Sequence, residues 1–344
     1  MTGADPRRAL RLVVMGTGPF AVPMFGALVD SRHAVAALVT RPDRAAPGRR
    51  PPPNPMRAAA LAAGVPVLEP ADVNAAEATD AVARLEPDLL VVCDYGRILV
   101  PALLATAALG GINLHGSLLP RHRGAAPVQW AILAGDQVTG ACVIHMTPAL
   151  DAGRVILARS TPIGPRETAA DLEARLAAFG PELVLAAIDE LVRPDRPSGA
   201  CGTPQDEALV TRAPRLTKAD GLIDWSQPAA RIARLPRALD PWPRATTFLR
   251  LPGHAPLRLV VAEAGEGAAA GQGAAPRPGP SAAPGTILRA SPEGIEVACG
   301  DGGTVVVTRV VPEGKRPMAV GEFLLGRHVG PGATLGPGAG GAAS

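Results

Sequence analysis

Short apolar runs alternate with helical patterns over the first half of the chain, and this alternation constrains the fold more than any other feature. The apolar runs lie at 10–15, 35–40, 65–69, 88–93, 111–115, 141–146 and 155–160, and the helical patterns at 56–63, 75–85 and 168–192. Apolar strands that alternate with helices predict an α/β fold with a doubly wound, Rossmann-like parallel sheet. We assign this domain to residues 9–192. Such sheets bind ligands at the carboxyl ends of their strands.

The pattern changes beyond residue 192. Residues 193–218 are rich in Pro, Arg, Ser, Gly and Thr, which predicts a linker. A helical segment at 229–239 is followed by five strand-like runs at 245–251, 256–262, 285–290, 294–299 and 302–311. Short strands at this spacing predict a small, OB-like β-barrel domain over 219–330. Residues 264–284 carry almost no apolar side chain larger than alanine, so a disordered insertion is expected there and a flexible tail at 331–344.

Composition narrows the class of protein. Hydrophobic residues make up 47% and charged residues 19% of the 344 positions, as in ordinary globular proteins, and the net charge of +3 does not by itself indicate a nucleic-acid binder. No apolar run approaches the roughly 20 residues that span a bilayer. The four cysteines are scattered, which argues against structural zinc and against a disulfide framework. No secretory signal precedes the first predicted strand, so a cytoplasmic protein is expected.

The most informative local motif is GINLHGSLLPRHRGAAPVQWAILAG at residues 111–135. Asn113 and His115 occupy alternate positions of a predicted strand, so both side chains point to one face. Residues 117–120 then form a stiff apolar turn. An amide, an imidazole and such a turn are suited to polarise a carbonyl group beside a flat ligand. Taken singly, Asn113 would be interpreted as a strand-end cap and His115 as a core imidazole, but the full constellation favours a site.

This motif resembles the signature of the folate-dependent formyltransferases, and its Arg-Gly-Ala-Ala-Pro form resembles the members that act on methionyl-tRNA. Segments that are similar to landmarks of the family's C-terminal domain are LTKADGLIDW at 216–225, DPWP at 240–243, GKRPM at 314–318 and FLLG at 323–326. The resemblance therefore covers nearly the whole chain. It implies transfer of the formyl group of 10-formyltetrahydrofolate to the amino group of methionine on initiator tRNA, without a metal.

The resemblance also implies three catalytic residues, which are Asn113, His115 and the Asp151 of LDAG at 150–153. Formyl transfer to an amine passes through a tetrahedral oxyanion, so the site needs hydrogen-bond donors for that oxygen and a route for the proton of the amine. Asn113 and His115 would supply the donors. Asp151 would orient His115 and relay the proton.

Binding residues follow from the same resemblance. The folate-binding set is Ser117, Leu118, Leu119 and Pro120, faced by Val92, Tyr95, Gly96 and Ile98. Asp94 departs from the family, which usually has a small residue there, and Pro148 and Ala152 are further departures. A basic loop after the second predicted strand supplies Arg44, Arg49 and Arg50 for phosphates of the tRNA acceptor arm. The alternative for this loop is a solvated surface segment.

Other functions stay open at this point. The turn Gly16-x-Gly18-x-x-Ala21 has the outline of a dinucleotide fingerprint, but Pro19 removes an amide that a pyrophosphate loop needs. A formyltransferase for a small amine, such as glycinamide ribotide or a nucleotide sugar, and a formyl-folate hydrolase would use the same first domain. An RNA-binding protein with an inactive first domain is the non-enzymatic alternative. His122 and His145 lack companion metal ligands, so they are assigned to surface or core positions.

Overall fold

The computed structural model describes residues 8–43, 54–193, 201–267, 282–330 and 332–337. The chain divides into two compact units, one of residues 1–128, 138–163 and 171–215 and the other of residues 129–137, 164–170 and 216–344. In the described ranges, each unit is built around a sheet of seven strands. The predicted fold class, an α/β sheet followed by a small barrel, is confirmed.

The elements up to residue 213 occur in the following order. The strands are β1 (Arg11–Met15), β2 (Ala34–Val39), β3 (Val67–Leu68), β4 (Leu89–Cys93), β5 (Gly111–His115), β6 (Arg123–Gly124), β7 (Val138–His145), β8 (Val155–Pro162) and β9 (Arg212–Ala213). The helices are α1 (Val22–Val29), α2 (Pro55–Ala62), α3 (Ala76–Ala83), α4 (Pro101–Leu104), α5 (Pro127–Ala134), α6 (Ala169–Ala177) and α7 (Gly180–Leu191). Short 3-10 turns lie at Pro19–Ala21 and Glu207–Leu209.

The first sheet has the strand order β3-β2-β1-β4-β5-β7-β8. Its first five strands are parallel, as predicted, but β7 runs antiparallel to β5, and β8 runs antiparallel to β7. The connection from β7 to β8 is too short to carry a crossover helix, which explains why β8 forms a hairpin with β7. The central strands are covered on both faces, and β4 is buried at all five positions.

Local sequence explains where the helices begin and end. α2 starts after Asn54, whose side-chain oxygen accepts a 3.0 Å hydrogen bond from the backbone N–H of Arg57, and Pro55 occupies the first helical position. The helical pattern predicted over 168–192 is two helices. Pro181, at the start of α7, has no N–H to continue α6, so the chain begins a new helix there.

The second unit contains α8 (Ala229–Ala238), β10 (Thr246–Arg250), β11 (Leu257–Glu266), β12 (Ile287–Ser291), β13 (Gly294–Ala298), β14 (Thr304–Pro312), β15 (Met318–Ala319), α9 (Val320–Leu325) and β16 (Thr334–Gly336). Its strand order is β12-β13-β14-β11-β10-β16, with β15 beside β14. Backbone hydrogen bonds from Ile287 to Ala333 and from Leu335 to Gly285 join the two ends of this order. These bonds close the sheet into a barrel.

Two expectations about this unit need correction. Residues 264–266, expected in a disordered insertion, extend β11, where they pair with Val305, Val306 and Val307 of β14. Residues 334–336, expected in a flexible tail, form β16 against β10. Trp225 lies in the barrel core, and its indole N–H donates to Thr247 Oγ1 at 3.0 Å. Residues 268–281, most of the expected insertion, lie outside the described residues.

Candidate active site

Two of the predicted catalytic residues lie at the carboxyl end of β5, in the middle of the first sheet. Asn113 pairs with Val92 of β4 on one side and Ile144 of β7 on the other, and His115 pairs with Cys142. Their alternate positions place both side chains on one face of the sheet. Asn113 is half-buried, and no described residue forms a hydrogen bond with its amide. That amide therefore remains available to a ligand.

The His115 imidazole is buried and fixed between two oxygen atoms. Its Nε2 lies 3.0 Å from the backbone carbonyl oxygen of His122. A carbonyl only accepts, so Nε2 carries a proton and donates it there. The other ring nitrogen, Nδ1, lies 3.8 Å from Asp151 Oδ2. This distance allows charge attraction but is too long for a hydrogen bond, so a proton on Nδ1 would stay available to a substrate oxygen.

Asp151 is held by the backbone around it. Its Oδ2 accepts a 2.9 Å hydrogen bond from the N–H of Gly124, and its φ of +50° is in the left-handed region that few non-glycine residues adopt. Two residues later, a Cβ on Gly153 would lie 1.8 Å from the carbonyl oxygen of His145. Glycine is thus required at 153 for the close approach that places the Asp151 loop against β7. Such local strain is typical of functional sites.

A polar network that the sequence did not reveal supports this loop. Gln205 Nε2 donates to the carbonyl oxygens of Asp151 at 2.8 Å and Gly153 at 2.7 Å, while Gln205 Oε1 accepts from Arg123 Nε and Nη2 at 3.0 and 2.8 Å. Arg123 is buried and also donates to Glu207 at 2.8 Å. That hydrogen bond lowers the pKa of Glu207, although this carboxylate is exposed. The network fixes the Asp151 loop and the Arg-Gly motif to each other.

The described part of the predicted linker at 193–218 supplies part of this network. Residues 201–215 belong to the first unit, where β9 pairs in parallel with β6. A Cβ on Gly124, which has a φ of +137°, would lie 2.3 Å from the Ala213 carbonyl oxygen, so the Arg-Gly motif needs its glycine for this pairing. A buried arginine requires a partner. The burial of Arg123 is visible only in the structure, so no sequence signal led from it to Gln205 and Glu207.

The predicted folate loop at 117–120 is stabilised by hydrogen bonds of buried side chains. The buried Ser117 hydroxyl donates to the Arg121 carbonyl oxygen at 2.7 Å, and Cys142 Sγ donates to the Ser117 carbonyl oxygen at 3.1 Å. Burial raises the pKa of Cys142 to about 12, so the thiol keeps its proton for this bond. Leu118, Leu119 and Pro120 are half-buried. Ser117 therefore shapes the loop, and these three residues present its apolar surface.

The opposite wall differs from the expectation in two of its four residues. The side chains of Val92 and Tyr95 are 4% and 3% exposed and pack in the core of the first unit. Any contact of theirs with a ligand would come from the backbone. Gly96, with a φ of +71°, and Ile98, at 58% exposure, lie at the surface. The predicted tRNA residues Arg44, Arg49 and Arg50 lie outside the described residues.

The other two histidines that the sequence singled out are His122 and His145. His122 is buried, and its contribution to the site is the backbone carbonyl that accepts from His115. His145 is half-buried, and burial lowers its pKa. Within the described ranges, no three His, Cys, Asp or Glu side chains are grouped so that they could hold a metal ion. No helix there is long and apolar enough to cross a membrane.

Known proteins with similar sequences decide the family. The formyl transferase family profile matches residues 10–188, and the formyl transferase C-terminal domain profile matches residues 215–328. A methionyl-tRNA formyltransferase of Rhodopirellula baltica is 43% identical over 342 residues, which cover 96% of this chain and 99% of that protein. Another, of Chromohalobacter salexigens, is 44% identical over 93% of this chain and 94% of its own. The chain belongs to the methionyl-tRNA formyltransferase family.

Solved structures with a similar fold are less similar to this chain in sequence. HypX of Aquifex aeolicus, solved in complex with tetrahydrofolic acid, has a TM-score of 0.54 at 17% identity, and the match covers 92% of this chain and 47% of HypX. A sugar N-formyltransferase of a Shewanella species has a TM-score of 0.53 at 14% identity, with 69% and 92% covered. These likenesses show the fold alone. The family predicted from the sequence and its class, a transferase, are both confirmed by the sequence relatives.

Proposed function

We propose that this protein transfers the formyl group of 10-formyltetrahydrofolate to the amino group of methionyl-initiator tRNA, giving N-formylmethionyl-tRNA for translation initiation. The observation that carries the proposal is 43% identity to a methionyl-tRNA formyltransferase over nearly the full length of both chains. The position of Asn113 and His115 at the end of β5, with Asp151 Oδ2 3.8 Å from His115 Nδ1, supports it. A cytoplasmic location follows from the two substrates, since translation and its folates are found there.

In the proposed reaction, the nitrogen of the methionyl amine attacks the formyl carbon. The oxygen of that carbon gains negative charge and accepts hydrogen bonds from the Asn113 amide and from His115 Nδ1–H. The half-buried Asp151 carboxylate, 3.8 Å from Nδ1, stabilises the doubly protonated imidazole that this donation needs. The carbonyl of His122 fixes the ring orientation at Nε2. Donors placed in advance around a developing oxyanion supply a large part of such rate enhancements.

The intermediate then collapses. The bond between the formyl carbon and N10 of the folate breaks, N10 takes a proton, and the new amide bond to methionine remains. The proton lost by the amine leaves through the Asp151 carboxylate and a bound water, because Oδ2 is engaged by the Gly124 N–H and the second oxygen has no described partner. No net redox change occurs, and the products are tetrahydrofolate and the formylated amine.

We propose that the apolar surface of Leu118, Leu119 and Pro120 holds the flat pterin ring, with backbone atoms of 92–96 and the Ile98 side chain on the other side. Backbone groups at such loop ends can bind the polar edge of a pterin. For the tRNA, we propose phosphate contacts from Arg44, Arg49 and Arg50. We also propose that residues 9–192 are the catalytic domain and that the barrel over 219–330 supports the tRNA body.

The test is direct. The purified protein is incubated with 10-formyltetrahydrofolate and initiator tRNA charged with methionine, and formylmethionine is scored after ester hydrolysis. Uncharged tRNA, glycinamide ribotide and a nucleotide-linked amino sugar serve as alternative acceptors, and release of formate measures hydrolysis. Formylmethionine as the main product supports the proposal. Transfer to a small amine alone, or formate alone, would overturn it in favour of the corresponding alternative.

A further inference from the structure

The imidazole of His115 lies between two groups that one short stretch of backbone, residues 122–124, holds in place. On one side of the ring, Nε2 lies 3.0 Å from the carbonyl oxygen of His122. On the other side, Nδ1 lies 3.8 Å from Asp151 Oδ2, and that oxygen accepts a 2.9 Å hydrogen bond from the Gly124 N–H. The conformation of residues 122–124 therefore sets the surroundings of both ring nitrogens.

His122 has a backbone conformation that needs support. Its φ of +62° is in the left-handed region, which few non-glycine residues adopt and which persists only where neighbouring groups hold it. The pairing of β6 with β9 begins at Arg123, so the His122 N–H lies outside that ladder. An N–H group that is removed from water and lacks an acceptor is unfavourable. This group therefore needs a partner that the ladder does not supply.

The half-buried Thr211 supplies that partner with its side chain. Thr211 Oγ1 accepts a 2.8 Å hydrogen bond from the His122 N–H, and the backbone oxygen of Thr211 accepts a 2.9 Å hydrogen bond from the Arg123 N–H. Any residue at position 211 could form the second bond, whereas the first requires a side-chain acceptor. Serine keeps the hydroxyl, and valine keeps the shape of threonine without it.

The two hydrogen bonds of Thr211 fix the peptide planes on both sides of the His122 Cα. The Arg123 N–H lies in the same planar peptide as the His122 carbonyl, on its opposite edge. That plane is therefore bound to the Thr211 backbone on one edge and to His115 Nε2 on the other. The Thr211 hydroxyl fixes the preceding plane, so it determines the rotation between the two planes, which is the strained φ of His122.

We propose that Thr211 is a positioning residue for His115 and acts on it through the backbone of His122. The hydroxyl holds His122 in the conformation that directs its carbonyl oxygen to Nε2. The proton of the neutral ring is thereby kept on Nε2, and Nδ1 is directed to Asp151 and the formyl oxygen. The inference rests on the proposed function for the reaction that this ring serves. It requires no contact between Thr211 and a substrate.

Removal of the hydroxyl should affect turnover more than substrate binding. In Thr211→Val the φ of His122 can relax, and its carbonyl oxygen can move away from Nε2. Because a misplacement of about 1 Å can cost about 10²-fold in rate, kcat should fall about ten- to a hundredfold. The Michaelis constants for both substrates should change little, since no substrate contact is lost. Thr211→Ser should restore most of the turnover, and Thr211→Ala, which lacks the same hydroxyl, should behave like Thr211→Val.

The position of the ring can also be observed without a substrate. The chain has six histidines, so labelling of histidine alone with ¹⁵N gives a simple spectrum, in which the His115 signals are identified by their loss in His115→Asn. The Nε2–H proton of the wild type is buried and hydrogen-bonded, so it should exchange slowly with water and give a sharp signal. This signal should broaden or disappear in Thr211→Val and return in Thr211→Ser.

Thr203→Val is the matched control. Thr203 is an exposed threonine of the same segment, and it pairs with Val155 through backbone atoms alone in the hydrogen bonds of the described residues. Loss of its hydroxyl should leave both the turnover and the His115 signal unchanged. Thermal denaturation of each variant gives the folded fraction by which turnover is corrected.

The outcomes separate this inference from the proposed function. Normal corrected turnover in Thr211→Val, or an unchanged His115 ring signal in that variant, would overturn the inference and leave the proposed function standing. Equal losses in Thr211→Val and Thr211→Ser would also overturn it, because the hydroxyl would then not be the group that acts. A ring signal that responds as expected, in a wild type that transfers no formyl group to methionyl-tRNA, would contradict the proposed function and support the positioning of His115 by Thr211.

Discussion

Gln205 donates a 2.8 Å hydrogen bond from its side-chain amide to the backbone carbonyl oxygen of Asp151, a residue 54 positions earlier in the chain. The same amide group holds Gly153, and its oxygen accepts from the buried Arg123. The strained backbone of Asp151 is therefore stabilised by a side chain whose amide is engaged in hydrogen bonds to protein groups. Gln205 is a positioning residue, because it acts on the reaction only through the loop that carries the carboxylate.

Gln205→Leu should lower kcat by about ten- to a hundredfold and change the Michaelis constant for the folate little, since a displaced catalytic group loses orientation while the pterin loop stays in place. The unfolding free energy should fall by about 1–3 kcal/mol, because Arg123 and two carbonyl oxygens lose a buried partner. Steady-state kinetics and urea denaturation measure the two effects. Gln137→Leu, at an exposed glutamine, is the matched control and should leave both unchanged.

A purely structural role for Gln205 predicts a different pattern. The protein would then lose stability, but the folded fraction would keep normal turnover per active molecule. Kinetics corrected for the folded fraction, measured well below the unfolding midpoint, distinguish the two cases. Normal corrected turnover in Gln205→Leu would remove this residue from the positioning of Asp151.

The strands that carry the site were predictable because their chemistry is local. β4 and β5 are apolar runs of strand length, and alternation alone placed Asn113 and His115 on one face. The support for Asp151 was not predictable, because it depends on which distant backbone approaches the Arg-Gly motif. Composition marked 193–218 as a linker, yet its described part supplies Gln205 and β9. Short strands of two or three residues, such as β9 and β16, carry too little periodicity to be seen in sequence.

The burial of the Val92 and Tyr95 side chains is another feature that the sequence could not predict. Resemblance to a family indicates which positions of this chain correspond to binding residues. It does not say which atoms of those residues face the ligand. Tyrosine is a residue type that often lines ligand pockets, but the side chain of Tyr95 packs into the core. Ser117 likewise has the hydroxyl of a binding residue and uses it to close its own turn. Side-chain direction at a strand end is fixed by the packing of neighbouring elements, which sequence spacing does not encode.

Removal of the proposed oxyanion donors should reduce turnover without unfolding the protein. Asn113→Ala should lower kcat by about 10²–10³, because its amide forms no structural hydrogen bond with a described residue and, in the proposed mechanism, acts only in the transition state. Asp151→Asn should cause a loss of the same order by removing the charge that stabilises protonated His115. Single-turnover formyl transfer measures both. Losses that multiply in the double variant would show that the two residues act independently rather than as one unit.

A charge placed on the predicted pterin surface should weaken folate binding. Leu119→Asp puts a carboxylate against an apolar ring face, which is unfavourable unless the charge remains hydrated. The Michaelis constant for 10-formyltetrahydrofolate should rise at least tenfold, while tRNA affinity stays unchanged. Leu61→Asp, at a leucine that is 66% exposed on α2, controls for added charge. Loss of tRNA affinity alone in Leu119→Asp would place the folate elsewhere.

The cysteines of the folded protein should be unreactive. All four are buried, and the pKa of Cys142, raised to about 12 by burial, leaves about one thiolate in 10⁴ at pH 8. Reaction with an aromatic disulfide reagent should therefore be slow in buffer and complete for four thiols in guanidinium. Cys142→Val should loosen the loop at 117–120 and weaken folate binding, whereas Cys142→Ser keeps a donor to Ser117. Equal folate affinity in both variants would show that this hydrogen bond does not hold the loop.

The last prediction concerns the RNA. If Arg44, Arg49 and Arg50 bind phosphates of the acceptor arm, replacement of all three by alanine should weaken tRNA binding and leave folate binding unchanged. Each phosphate contact releases condensed counterions from the RNA, whereas a solvated surface arginine releases none. The slope of log affinity against log salt concentration should therefore fall by about one for each lost contact. The measurement is tRNA affinity at four or more salt concentrations, with the folate Michaelis constant as the internal check and Arg84→Ala as a control for simple loss of charge. An unchanged slope in the triple variant would assign these arginines to solvent and leave the barrel as the proposed site of RNA contact.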